Sequence, residues 1–182
     1  MEIIIVLAAL YVLFPYTRCF FKRLACMRKI RRVCRQKGHE LRGTHPLWYL
    51  GSRYGRHCDC FIATGSGVFG VKLFGAVRGL KALIFTGYGQ YFFRPLNAFP
   101  LFKLDFFDVG YHRLPEYDFA KKLPFEWKGR EVRAFLLINP IPGEIRIQPA
   151  SGSEVVSGPG DVLDGVEIAS LSHLIRLLEN AE

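Results

Sequence analysis

Cys58-Asp59-Cys60-Phe61-Ile62-Ala63-Thr64-Gly65-Ser66-Gly67-Val68-Phe69-Gly70-Val71-Lys72-Leu73-Phe74 is the stretch whose reading decides the fold. Two β-rich runs, Cys58–Thr64 and Val68–Phe74, flank a Gly65-Ser66-Gly67 turn, the pattern of a tight hairpin. With the turn centred between Gly65 and Ser66, paired positions sum to 131, so Asp59 faces Lys72 and Phe61 faces Gly70. Those four residues line one face of the hairpin.

Downstream the strand pattern continues. Lys81–Phe85 and Tyr88–Arg94 form a second pair around Gly87 and Gly89. Residues 95–127 are less regular and rich in aromatics and proline, with Leu101–Phe107 a candidate strand. Val132–Ile138 is a near-continuous apolar run, the mark of a strand covered on both faces. Glu144–Gln148 alternates, and Val162–Glu167 reads as a short hairpin around Asp164-Gly165. Ser170 or Ser172 caps a final helix, Leu171–Asn180. Upstream, His45–Leu50 is a short helical or irregular stretch. Residues 39–182 therefore form one α/β or α+β domain with a central mixed sheet and a C-terminal helix.

The 182 residues suit one compact domain plus an accessory segment, and 50% hydrophobic content excludes a disordered chain. The net charge of +9 is concentrated. Residues 18–57 hold twelve cations against a single acid, Glu40, which leaves 58–182 close to neutral. Before the cations lies Ile3–Phe14, and no charge occurs between Glu2 and Arg18. With Cys19, Phe20 and Phe21 the apolar run reaches about 19 residues, the length that spans a hydrocarbon core.

That run has an acidic rather than a basic N-terminal flank and no small-residue cleavage site, unlike a signal peptide. It reads as an uncleaved transmembrane anchor, residues 1–21. The basic flank orients it, with the N-terminus outside the cell membrane and residues 22–182 in the cytoplasm. A cytoplasmic domain also fits five thiols that show no secreted disulfide pattern.

Residues 22–38 make a basic amphipathic juxtamembrane helix, with Leu24, Met27, Ile30, Val33 and Cys34 at helical spacing and Gly38 as its stop. Arg28, Lys29, Arg31, Arg32 and Arg35 are its candidate lipid- or phosphate-binding residues, with anionic head groups as the expected partner. Nucleic acid is the alternative partner for the same charges. Cys19, Cys26 and Cys34 are either acylation sites or small apolar residues.

No GxSxG, Walker A or HExxH motif occurs. His57-Cys58-Asp59-Cys60 is the densest potential metal cluster, but strand alternation puts Cys58 and Cys60 on one face and His57 and Asp59 on the other. No metal or other cofactor is expected there.

The hairpin face carries one further pattern. An Asp on one strand, facing acid-x-Lys on the next, is the arrangement of Mg²⁺-dependent nucleases of the restriction-endonuclease type. From His39 onward the chain resembles the nuclease-related domain family. Glu40 falls at that family's acid on its first helix and Asp59 at its strand Asp. Val68-Phe69-Gly70-Val71-Lys72 falls at its strand Glu-x-Lys motif. Ala134–Pro140, Glu144–Ile147 and the Leu-rich terminal helix are similar to its closing strands and helix.

The resemblance implies a sheet flanked by helices, with Glu40, Asp59 and Lys72 catalytic and Mg²⁺ as cofactor if the activity is retained. This chain departs from the family at Gly70, where the metal-binding Glu is missing. The reading is therefore a nuclease-like fold without catalysis, serving as a binding or scaffolding module at the membrane. A protein partner is expected for it, and the aromatic segment (Phe92, Phe93, Phe99, Phe102, Phe106, Phe107, Tyr111 and Tyr117) supplies either core or the partner's surface. A membrane-tethered metal-dependent nuclease, or a nucleic-acid-binding protein, is the alternative.

Overall fold

The computed structural model describes residues 21–43, 58–75, 80–86, 90–95, 112–113, 123–139, 141, 143–148, 152–163 and 165–181. Helix α1 covers residues 21–37. Its strands are β1 (Glu40–Gly43), β2 (Cys60–Thr64), β3 (Gly67–Gly75), β4 (Leu80–Thr86), β5 (Gln90–Pro95) and β6 (His112–Arg113). A 3-10 turn at Phe125–Trp127 precedes β7 (Val132–Asn139), β8 (Glu144–Gln148), β9 (Val155–Ser157), β10 (Val162–Leu163) and β11 (Val166–Ala169). Helix α2 is Leu171–Asn180. The fold is mixed α/β, as expected.

The described residues form two sheets. The first has the order β1-β2-β3-β7-β11-β10, and the second β6-β5-β4-β8-β9. In the first, β3–β7 and β7–β11 pair parallel while the outer pairs are antiparallel, so the sheet is mixed. The second sheet, which the sequence pattern does not reveal, joins the β4–β5 hairpin to β8 in parallel and β8 to β9.

The local expectations survive in detail. Strands β2 and β3 pair in the register that the sequence sets, Cys60↔Val71 through Thr64↔Gly67. Strand β7 is covered on both faces, with Phe135, Leu136, Leu137 and Ile138 at 2% exposure or less. Gly165, at φ +78, turns β10 into β11. The Ser170 hydroxyl caps α2 by accepting from His173 N–H at 3.0 Å.

Helix α1 stops where it should. Gly38 takes φ +73, a left-handed conformation that costs glycine little. The next amide, His39 N–H, reaches back to the Cys34 carbonyl at 2.9 Å, the bond that closes a helix C-terminus. His39 Nε2 also lies 2.8 Å from the Leu178 carbonyl, tying this corner to α2.

Both helices cover one face of the six-stranded sheet. Cys26, Met27, Ile30, Val33 and Cys34 of α1 share a core with Phe69, Val71, Leu73, Phe135, Leu137, Leu174 and Leu178. A boundary drawn at 38/39 thus runs through a continuous core, because the apolar stripe of residues 22–37 is buried against the sheet. The opposite face is closed by Cys58, Phe61, Ala63, Val68, Leu123 and Trp127.

Two expectations change. Glu40 does not sit on a helix: it opens strand β1 and pairs with the exposed Arg42 at 2.7 Å. Cys58 and Cys60 do not share a face, because the chain bends at Asp59 and the strand begins only at Cys60. Cys60 joins the helix-side core and Cys58 the opposite one.

No helix among the described residues is long and apolar enough to cross a membrane. The expected span, apart from Phe21, lies outside the described residues, as do the stretch 45–50, the candidate strand 101–107 and the side chains of the aromatic segment.

Candidate functional site

The hairpin brings Asp59 and Lys72 together. Asp59 lies one position before β2, where the ladder's register ends, and its N–H bonds the Val71 carbonyl at 2.9 Å. Past that point the backbone turns away, and the Asp59 side chain takes over the role of a strand carbonyl. Its Oδ2 accepts from Leu73 N–H at 2.7 Å and lies 3.4 Å from Lys72 Nζ. The two side chains are 3% and 2% exposed.

Burial pushes the Lys72 ammonium below its ordinary range; the Asp59 carboxylate opposes this and the nearby Arg23 cation adds to it. Arg23, on α1, is itself 3% exposed. The sequence carries a signal for this. Position 23 falls on the stripe of 27, 30 and 34, so helical spacing alone turns it toward the sheet.

Gly70 lies on the same face, buried between its register partners Phe61 and Ala134. Glu40 does not approach. It pairs with Ala63, whereas Gly43↔Cys60 is the pair beside Asp59, so Glu40 sits about 13 Å further along the strand. Of the acids that the nuclease resemblance assigns, one is buried and bonded, one is remote, and one is a glycine. Mg²⁺ demands six oxygens in near-octahedral order, commonly with more than one from carboxylates or phosphates, and this donor set does not fit it. Among the described residues no three His, Cys, Asp or Glu side chains converge on a possible metal position.

The four described thiols are buried. Cys58 Sγ donates to the Cys60 and Val71 carbonyls at 2.9 and 3.3 Å, and burial pushes its thiol up to about 12. Cys26 and Cys34 are 3% and 1% exposed and also raised by burial, so both behave as small apolar residues rather than acylation sites. The Asn139 amide donates to Cys26 Sγ at 2.9 Å, linking α1 to the end of β7.

A second cluster had no sequence signal, because a long-range parallel pairing creates it. Arg133 on β7 lies over the rings of Phe69 and Phe135, 5.5 and 5.4 Å from their centroids. It bonds Glu167 on β11 at 2.9 Å, and Glu167 in turn lies 2.9 Å from His173 Nε2.

The polar face of α1 is the remaining candidate surface. Arg28, Lys29, Arg31, Arg32 and Arg35 are all exposed, on the side away from the buried stripe centred on Ile30.

No family model, no curated protein and no solved structure matches this chain.

Proposed function

We propose that this chain is a single-pass, membrane-held binding or scaffolding module with a nuclease-like but non-catalytic cytoplasmic domain. Its N-terminus lies outside and residues 22–182 lie at the cytoplasmic membrane surface, where the partners are anionic lipid and a protein. The observation that carries the non-catalytic reading is the closed state of the Asp59–Lys72 pair. A metal-dependent hydrolase needs a carboxylate facing substrate and a water-bearing metal. Here the carboxylate is 3% exposed and bonded to a backbone amide and an ammonium, with Gly70 beside it. The membrane reading is supported by the uncharged stretch between Glu2 and Arg18 and by the cations that follow it.

The test has two arms. Membranes bearing the full chain are extracted with carbonate, and the protein is expected to stay in the pellet; its full release overturns the anchor. The detergent-purified full chain is then offered single- and double-stranded DNA and RNA with Mg²⁺ or Mn²⁺. No cleavage is expected. Metal-dependent cleavage that disappears in both Asp59→Asn and Lys72→Met, in variants that keep the parent's circular dichroism, establishes the nuclease instead.

A further inference from the structure

Residues 21–37 contain no Asp or Glu. On a helix this leaves cations without the partners three or four positions away that usually neutralise them. Arg28, Arg31, Arg32 and Arg35 form a compact figure in which 28–31 and 32–35 are three apart and 28–32 and 31–35 are four apart. Each neighbouring pair is thus one turn apart, about 5–6 Å between Cβ atoms.

All four are exposed, and none makes an ion pair or side-chain hydrogen bond among the described residues. Several other surface arginines do. Arg42 pairs with Glu40, Arg133 with Glu167, and Arg146 with both Glu144 and Glu154. The roll of α1 is fixed, because Met27, Ile30 and Cys34 are locked in the core and the four guanidinium groups must point outward.

We infer that this arginine cluster is a docking surface for anionic lipid head groups and that α1 lies along the membrane plane. The inference rests on the membrane-held reading above and adds to it the surface and its orientation. Guanidinium forks match phosphate oxygens two at a time. Screening at physiological salt limits the field of a charged bilayer to about 8 Å. Phe21 to Arg35 spans about 21 Å at 1.5 Å per residue, so an upright helix leaves Arg35 beyond reach.

Lying flat brings all four arginines to one depth. It also sets Phe21, which is 63% exposed, at the end nearest the apolar run. Nucleic acid is the less favoured occupant. The exposed face of α1 holds one aromatic, Phe21, at the end that meets the apolar run, and none lies among the arginines where successive bases would stack.

The test uses the unmodified full chain reconstituted in vesicles of phosphatidylcholine alone or with phosphatidylglycerol. Arginines are labelled with phenylglyoxal and read peptide by peptide by mass spectrometry. Labelling of Arg28, Arg31, Arg32 and Arg35 is expected to fall about fivefold in the anionic vesicles, the factor for one cation held at such a surface. Arg42 and Arg130, on other parts of the domain, serve as references and change little. Equal labelling in both vesicles overturns the inference. Protection by an oligonucleotide but not by vesicles also overturns it, and assigns the surface to nucleic acid. Carbonate extraction of the same vesicles reads the anchor separately. Release with the arginines still protected fails the anchor and leaves the docking surface standing; retention with unprotected arginines does the reverse.

Discussion

Lys72 Nζ and Asp59 Oδ2 stand 3.4 Å apart at opposed positions of one hairpin, with both side chains almost wholly out of water. A buried pair of this kind is costly to break and less costly to replace, since removing one partner strands the other charge. Lys72→Met and Asp59→Asn are each expected to lose about 3–5 kcal/mol in urea unfolding. The double variant should lose less than the sum of the two. Strict additivity in that cycle shows that the pair is not coupled.

Gly70→Glu restores the acid that the nuclease pattern asks for. The new carboxylate falls between Phe61 and Ala134, on the face that Asp59 already occupies. Burying a charge there costs several kcal/mol. The variant is expected to melt well below the parent and to gain no Mg²⁺-dependent cleavage; a gain in either stability or cleavage contradicts this account.

Alkaline pH should weaken the fold. Cys26, Cys34, Cys58 and Cys60 are all raised by burial, Cys34 to about 11 and Cys58 to about 12, from an ordinary value of 9.0. Above pH 9 an unfolded thiol gives up its proton while the folded one keeps it, so the unfolded state binds fewer protons and stability falls. Lys72 acts oppositely: its lowered value lets the folded state deprotonate first, which adds stability as pH rises toward 10.5. The thiols outnumber the single ammonium. The unfolding free energy should drop between pH 9 and 11, by on the order of 1 kcal/mol per thiol per pH unit at most, and the urea midpoint with it. A midpoint that is flat over that range refutes it.

Helix α1 should behave as core on one side and as surface on the other. Ile30 is fully buried, and Ile30→Ala is expected to cost about 2–5 kcal/mol. Arg32→Gln, on the exposed face, should stay within about 0.5 kcal/mol. Gly38→Ala should cost about 1 kcal/mol, because alanine resists φ +73. Equal effects at positions 30 and 32 show that α1 is not docked.

What the sequence made legible was local. The 58–74 hairpin, its register, the Ser170 cap and the Gly38 stop each depend on residues a few positions apart, and all could be read directly. The partners of β7 and the existence of a second sheet depend on pairings across dozens of residues, which periodicity does not encode. The apolar stripe of α1 was visible, but not what covers it. Its neighbouring cations point to the membrane, and the sheet on its other side has no local signature. At the candidate site the Asp59–Lys72 contact was foreseen, while its burial was not, since exposure is set by the whole fold. Alternation assumes a straight strand and so puts Cys58 and Cys60 on one face, whereas the bend at Asp59 sends them to opposite cores.

The parallel pairing of β3 with β7 bears on how the chain reaches this state. Residues 76–131 intervene between the two strands, so the central pair of the six-stranded sheet closes a very long loop. A hairpin such as β2–β3 forms in about microseconds, whereas loop entropy delays distant contacts by orders of magnitude. Pairing of β7 with β3 is then expected to limit the folding rate, and until it happens the stripe of α1 has only half its sheet to rest on. Stopped-flow refolding should show Ile62→Val in the hairpin slowing folding, and Ile168→Val on β11 chiefly speeding unfolding.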